Sequence, residues 1–374
     1  MKEKKVDKIL LVTLLLLIFI GLAMFFSASL GILARSQSTF YSVLISQLVL
    51  GLPFGLVGMY FALKLNYKFW RRYAFLIFLG AILLTAAVFV PHLGVFRQGA
   101  TRWIELGPVS FQTAELLKFG FIIYFAAWLS WAKNRTQNFR FGILPFLIML
   151  AVIAVVLLKQ PDTKSFILIT VTGIAMLFLS EVPFKYIFGT GAVVVLLLGG
   201  LVSFTPYLQQ RVKTFLNPSN DPQGSAYQIQ QSLIAIGSGG IFGRGYGQSI
   251  QKFNYLPEPQ GDSIFAVIGE ELGLVGASGV IILYLVFAMR GIRIASRSPD
   301  QFSRLLAAGI VIMITAQSFM NIASIVGVFP LTGVPLVFMS AGGTSLMVYL
   351  TAAGILLNIS KFQKKKVCKI QSNS

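Results

Sequence analysis

Residues 9–30 read ILLVTLLLLIFIGLAMFFSASL, twenty-two positions without a charged side chain. In lipid no water bonds the backbone, so such a run must close its own hydrogen bonds as a helix, and about 20 apolar residues suffice to cross. The run is longer than the apolar part of a cleavable secretion signal, and no small-residue cleavage pattern follows it, so it is expected to persist as the first span. Outward from it, comparable runs occupy 41–63, 73–90, 111–131, 141–158, 165–180, 186–206, 263–289, 303–328 and 344–360. These predict an all-α membrane protein of about ten transmembrane helices in a single polytopic domain, residues 1–374. The sixth run is the thinnest, with a clean apolar core only from Phe166 to Leu179.

Composition agrees. Of 374 residues, 56% are hydrophobic and 11% charged, about half the charged fraction of a soluble domain. The net charge of +19 raises the question of nucleic acid, which the location of the cations answers. With the N-terminus inside and one crossing per run, 21 of the 31 Lys and Arg residues fall on inner segments, as the positive-inside rule requires. The basicity is therefore topological, both termini are expected in the cytoplasm, and the basic tail 361–374 is expected to meet anionic lipid heads. Cys368 is the only cysteine and His92 the only histidine, which excludes an internal disulfide and a Cys/His metal site. No tightly bound cofactor is expected; a divalent cation, Mg or Mn, held by carboxylates and phosphates stays open.

The one long gap, 207–262 between helices 7 and 8, falls outside as an extracytoplasmic loop, and loops of that length tend to carry function. It holds a helix-like run from Tyr227 to Ile236, then Gly237, Gly239, Gly240, Gly243, Gly245 and Gly247. The glycines could form backbone concavities for phosphate, but no Gly-Lys-Ser/Thr end marks a nucleotide loop. Only twelve carboxylates exist, and ionisable groups within the membrane are functional candidates by default, which singles out Glu115, Lys118, Glu270 and Glu271. Glu115 and Lys118, at i and i+3, can equally neutralise each other. Asp262 precedes the eighth apolar run, where it reads either as an ordinary N-cap or as a general base toward a hydroxyl. Arg102, Arg211, Lys213, Arg244 and Lys252 could neutralise a pyrophosphate or simply solubilise outer loops.

Several strings together resemble the SEDS family, the FtsW and RodA proteins. They are Arg102-Trp103-Ile104-Glu105-Leu106-Gly107-Pro108 with Gln112, Glu115 and Lys118; Gln160-Pro161-Asp162; Ser232 to Gly240 with Gly243-Arg244-Gly245; Tyr255-Leu256-Pro257-Glu258; Asp262 to Gly273; and Ser340 with Gly342-Gly343. The resemblance implies a glycosyltransferase that polymerises lipid II at the outer face of a bacterial plasma membrane, with undecaprenyl pyrophosphate as leaving group. It implies that Asp262 is the catalytic base, that Arg102, Glu115 and Lys118 line the substrate cavity, and that Arg244, Lys252 and Ser340 join them in binding substrate. It further implies a class B penicillin-binding protein as transpeptidase partner, alongside other division proteins. The stretch Gly243 to Lys252 is more like FtsW than RodA, which favours septal synthesis over elongation. Departures are Thr163-Lys164-Ser165 after the Gln-Pro-Asp string, Thr113-Ala114, Thr332, Ala341 and Ser263. The rival readings are a lipid II flippase, a RodA-like elongation polymerase and a non-catalytic division scaffold.

Overall fold

The structure is a computed structural model that describes residues 5–91, 93–97, 100–106, 109–217 and 224–363; His92, Gly107, Pro108 and Cys368, named above, lie outside them. Every predicted apolar run is helical. The first is α1 (Lys8–Leu33). The second joins α2 (Gln37–Leu44) to α3 (Leu52–Lys64) through a π-helical stretch, Ile45–Gly51. After a short α4 (Lys68–Arg72) come α5 (Ala74–Ala86), α6 (Thr113–Ala132), α7 (Phe139–Lys159), α8 (Thr163–Leu179) and α9 (Phe184–Phe204). The gap after α9 holds α10 (Pro206–Leu216) and α11 (Ser225–Ser238), and the last three spans are α12 (Ile264–Ser296), α13 (Gln301–Ile325) and α14 (Gly343–Ser360). Among the described residues, eight helices are long and apolar enough to cross a membrane, and the stretches Ala74–Phe89 and Thr163–Leu179 are shorter apolar helices.

The thin sixth run is a helix, α8, tied to the bundle at both ends. At one end of α8 the Lys164 ammonium donates to the Gly333 carbonyl; at the other, Arg304 of α13 donates to the Leu179 carbonyl and lies 3.8 Å from Glu181. Seventeen residues rise about 26 Å, enough to link the two ends of the bundle. The end opposite Asp262 is tied by Asp7, whose carboxylate caps Leu10 N–H at 3.0 Å, whose own N–H donates to Ser360 Oγ at 3.1 Å, and which Arg290 approaches at 3.8 Å.

α13 and α14 form the centre, and α14 packs so closely on α3 that a Cβ at Gly354 would lie 2.8 Å from Met59 Cα. α9 is the opposite case: Phe188 and Leu196 are 75% and 74% exposed. In lipid such apolar exposure costs nothing, so α9 can stand apart from the bundle.

Two features exceed the sequence reading. The segment before α6 is a three-stranded antiparallel sheet, β1 (Gly94–Arg97), β2 (Ala100–Leu106) and β3 (Val109–Gln112), and β3 runs directly into α6. Ala100 and Ile104, which share one face of β2 at the strand period, are both buried. Second, α12 has 33 residues, about 50 Å against a hydrocarbon thickness of about 30 Å. It is broken at Gly273, whose φ of +66° suits glycine. Exposed side chains run from Leu274 to Ile292, so the second half faces lipid. Residues 264–271 are buried in protein.

Candidate active site

Asp262 ends the turn that leads into α12. Its backbone is held from three sides: Asn321 Nδ2 donates to its carbonyl at 2.8 Å, Ser340 Oγ donates to the Gly261 carbonyl at 2.7 Å, and Ala341 N–H donates to the Gln260 carbonyl at 2.7 Å. The next residue, Ser263, accepts from Gln228 of α11 at 2.9 Å. The cap position of α12 is Ser263, and no side chain caps this helix. The Asp262 carboxylate is therefore not held as a cap. Asp162 offers the contrast: its carboxylate caps α8 by accepting from Ser165 N–H at 3.4 Å and Ser165 Oγ at 2.8 Å.

Cations surround the Asp262 carboxylate. A Cβ built on Gly333 would lie 3.2 Å from Asp262 Oδ2, 3.9 Å from Arg211 Nη2 and 3.9 Å from Lys164 Nζ, so three charged groups from α8, α10 and the α12 turn converge on one glycine with φ of +64°. Arg211 is anchored by donating to the Leu331 carbonyl at 2.7 Å. Burial pushes its guanidinium below the ordinary value, and Tyr207 and Asp262 oppose that shift; a guanidinium nonetheless stays charged. Arg102, on β2, donates to the Gln160 and Pro161 carbonyls and lies within electrostatic range of both Lys164 and Arg211. The sheet thus serves to hold Arg102 over the site.

Glu115 and Lys118 stand one layer deeper, both 2% exposed and 2.8 Å apart. Lys118 also donates to Gln317 Oε1 at 2.7 Å and Tyr349 OH at 2.8 Å, so its three protons all have partners. Ser340, expected to bind substrate, has its hydroxyl engaged by the Gly261 carbonyl and by Leu336 N–H at 2.8 Å. Among the described residues no three His, Cys, Asp or Glu side chains converge as metal ligands. The charged groups within electrostatic range of Asp262 are Lys164, Arg211 and Glu258.

Arg244 and Lys252 are elsewhere. Glu271 lies nine residues from Asp262, roughly 13 Å along a helix, and its Oε1 is 2.8 Å from the Lys252 ammonium in a pair that is 0% exposed on both sides. Lys252 also donates to Ser27 Oγ at 3.0 Å and the Gly247 carbonyl at 2.8 Å. The glycine-rich stretch forms concavities of N–H groups, as its composition predicts, but they hold the protein's own carboxylates: Gly247 and Ser249 N–H donate to Glu271, Ile250 and Gln251 N–H to Glu270. It also splices the broken helix. Arg244 and Gly245 N–H reach the Glu270 and Glu271 carbonyls at 3.0 Å each, while Leu274 and Val275 N–H reach the Gly240 and Ile241 carbonyls at 2.9 and 3.1 Å.

Comparison with known proteins agrees with this architecture. Residues 7–365 match the FtsW, RodA and SpoVE family of cell cycle proteins. The chain belongs to that family. It is 37% identical to the stage V sporulation protein E of Bacillus subtilis, covering 97% of this chain and 99% of that protein. It is also 37% identical to a "Probable peptidoglycan glycosyltransferase FtsW" of Geobacter sulfurreducens, covering 96% and 95%. A chain from a peptidoglycan synthase complex, described as coordinating polymerisation and crosslinking, superposes with a TM-score of 0.78 at 25% identity, covering 95% of this chain and 97% of that one. The resemblance read from the motifs therefore extends over nearly the whole FtsW/RodA/SpoVE chain.

Within this family member, sequence reasoning missed Lys164 as a site residue and treated it only as a departure. A signal was present. A lysine in the first turn of an apolar helix opposes the helix dipole, and two carboxylates, Asp162 and Asp262, lie within electrostatic range to offset it.

Proposed function

We propose that this protein polymerises lipid II into glycan strands at the outer face of the plasma membrane, with Asp262 as general base. The observation that carries the reading is the uncapped Asp262 carboxylate facing Lys164 and Arg211 around Gly333. Oδ2 takes the proton from the 4-hydroxyl of an acceptor GlcNAc. That oxygen bonds to the anomeric carbon of a donor MurNAc, the bond from this carbon to the pyrophosphate oxygen breaks, and undecaprenyl pyrophosphate leaves with the electron pair. Charge grows on the leaving group as the bond breaks, and preorganised cations aimed there lower the barrier. Arg102, Lys164 and Arg211 fill that role. Glu115, Lys118 and Ser340 shape the wall and turn that hold these groups.

The names carried by the relatives support a peptidoglycan glycosyltransferase, and their FtsW and sporulation labels favour septal over elongation synthesis. The complex that supplied the similar fold supports a class B penicillin-binding protein as transpeptidase partner, with other division proteins around it. The charge asymmetry supports cytoplasmic termini and an outward-facing Asp262. Reconstitution of the purified protein with lipid II, with and without the transpeptidase, tests the reading. Glycan polymer is the expected result; lipid II movement without polymer would make the protein a flippase, and neither would make it a scaffold. Labelling of a Gln248→Cys variant by an impermeant thiol reagent only after lysis would reverse the sidedness.

A further inference from the structure

Far from the Asp262 site, α5, α6 and α7 enclose an apolar groove of about 470 Å³. Its floor is Tyr124 and Trp128 of α6, and its walls include Phe78 of α5 and Leu144 of α7. The groove is preformed. Phe78 and Tyr124 stack with ring centroids 5.2 Å apart. Pro145, which also lines it, cannot donate the helical hydrogen bond to the Phe141 carbonyl. The Trp128 indole N–H replaces that donor at 3.0 Å, so wall and floor are joined by the bond that the proline displaced.

The groove has one charged end. Arg140 is the only charged residue lining it. It is exposed, and no hydrogen bond or ion pair engages its side chain among the described residues. No carboxylate occurs in sequence between Glu115 and Asp162, and the segment before α7 adds Lys133 and Arg135; Glu181 and Asp300 line a separate cavity with Lys133. From Arg140 to Val152 the lining extends about 18 Å along α7. That is close to the roughly 15 Å of one leaflet's hydrocarbon. The open cation lies at headgroup level and the apolar end near the bilayer centre.

We propose that this groove is a binding site for one anionic diacyl phospholipid of the leaflet at the arginine-rich end, with an acyl chain between α5 and α7 and its phosphate on Arg140. Charge complementarity and a length of one leaflet specify the occupant. The inference stands independently of the reaction at Asp262.

The full chain, reconstituted in discs of equal phosphatidylglycerol and phosphatidylcholine and then transferred to mild detergent, is weighed with its retained lipid by native mass spectrometry. The parent should keep one phosphatidylglycerol in preference to phosphatidylcholine. Arg140→Gln, at an exposed helix start, should lower that preference about fivefold, the effect of one basic residue near an anionic head. Leu144→Trp, which fills the groove, should lower retention of both lipids. Equal retention of the two lipids by the parent, or parent-like retention by either variant, would mean annular lipid only and overturn the site. Displacement of phosphatidylglycerol by equimolar undecaprenyl phosphate would replace the proposed occupant with a polyprenyl lipid and overturn it as well.

Discussion

At one end of residues 264–272 stands Asp262, facing Lys164 and Arg211; at the other, Glu270 and Glu271 face Arg244 and Lys252. Both clusters combine carboxylates with cations, and both lie beside a glycine that permits close approach. They differ in saturation. Every group of the Glu271 cluster has partners from the protein, and its ion pair is shut away from solvent. The Asp262 carboxylate caps nothing, although its backbone is pinned on three sides. A charged cluster whose hydrogen bonds are complete is a joint; one whose scaffold is complete but whose charges are not is a site.

The largest expected effect falls on Asp262. Asp262→Asn should lower glycan synthesis by about 100-fold or more, since a general base contributes typically 10²- to 10⁴-fold. Because Ser263 holds the cap position, the Asn and Ala variants should melt within a few degrees of the parent. Polymer formation from lipid II near the parental rate in the Asn variant would reduce the two clusters to the same kind of structure.

Next comes the closed cluster. Lys252→Met leaves Glu271 buried without its cation, a change that costs about 3–5 kcal/mol, whereas removing both charges together as Lys252→Met with Glu271→Leu should recover most of the loss. Thermal unfolding of the two variants in detergent reads this directly. A single variant as stable as the parent would show that the cluster is not a closed joint.

Lys164→Ala and Arg211→Ala should each slow polymerisation roughly 100-fold, about 3 kcal/mol of lost transition-state stabilisation. Stability should change much less than in Lys252→Met. If turnover survives and melting falls instead, these cations belong with the joint. The smallest effect is expected at Arg244: its side chain is 37% exposed and 3.7 Å from Glu270, an interaction of at most about 0.5 kcal/mol after screening. The splice bond comes from its backbone N–H, which Arg244→Ala keeps, so turnover and melting should both stay near the parent.

The ten spans were legible because lipid imposes one requirement, helical closure of backbone bonds over about 20 apolar residues. The sheet was not, since β1 and β3 are four residues each and their pairing is long-range information. Asp262 reads in sequence as either cap or base, and only the family resemblance favoured the base; in the fold the cap position belongs to Ser263. The glycine run was readable as a set of N–H concavities and unreadable as to its anion, because Glu270 and Glu271 approach it from a different element. For the same reason the sequence could not show that Lys252 and Arg244 lie beside Glu271 and Glu270.

The π-helical stretch Ile45–Gly51 also sets which face α3 presents. A π turn closes i to i+5 and so carries one residue more than the α turn it interrupts, which rotates everything after it by about 100°. Gln47 lies within it and braces the strand of chain before α14, donating to the Ser340 carbonyl at 3.4 Å and accepting from Gly342 N–H at 2.9 Å. Beyond it α3 presents Gly55 and Gly58 to α14. Deleting one residue here would restore an unbroken helix and turn those glycines away from their partner. The fit of the second span to α14 thus depends on one wide turn of backbone.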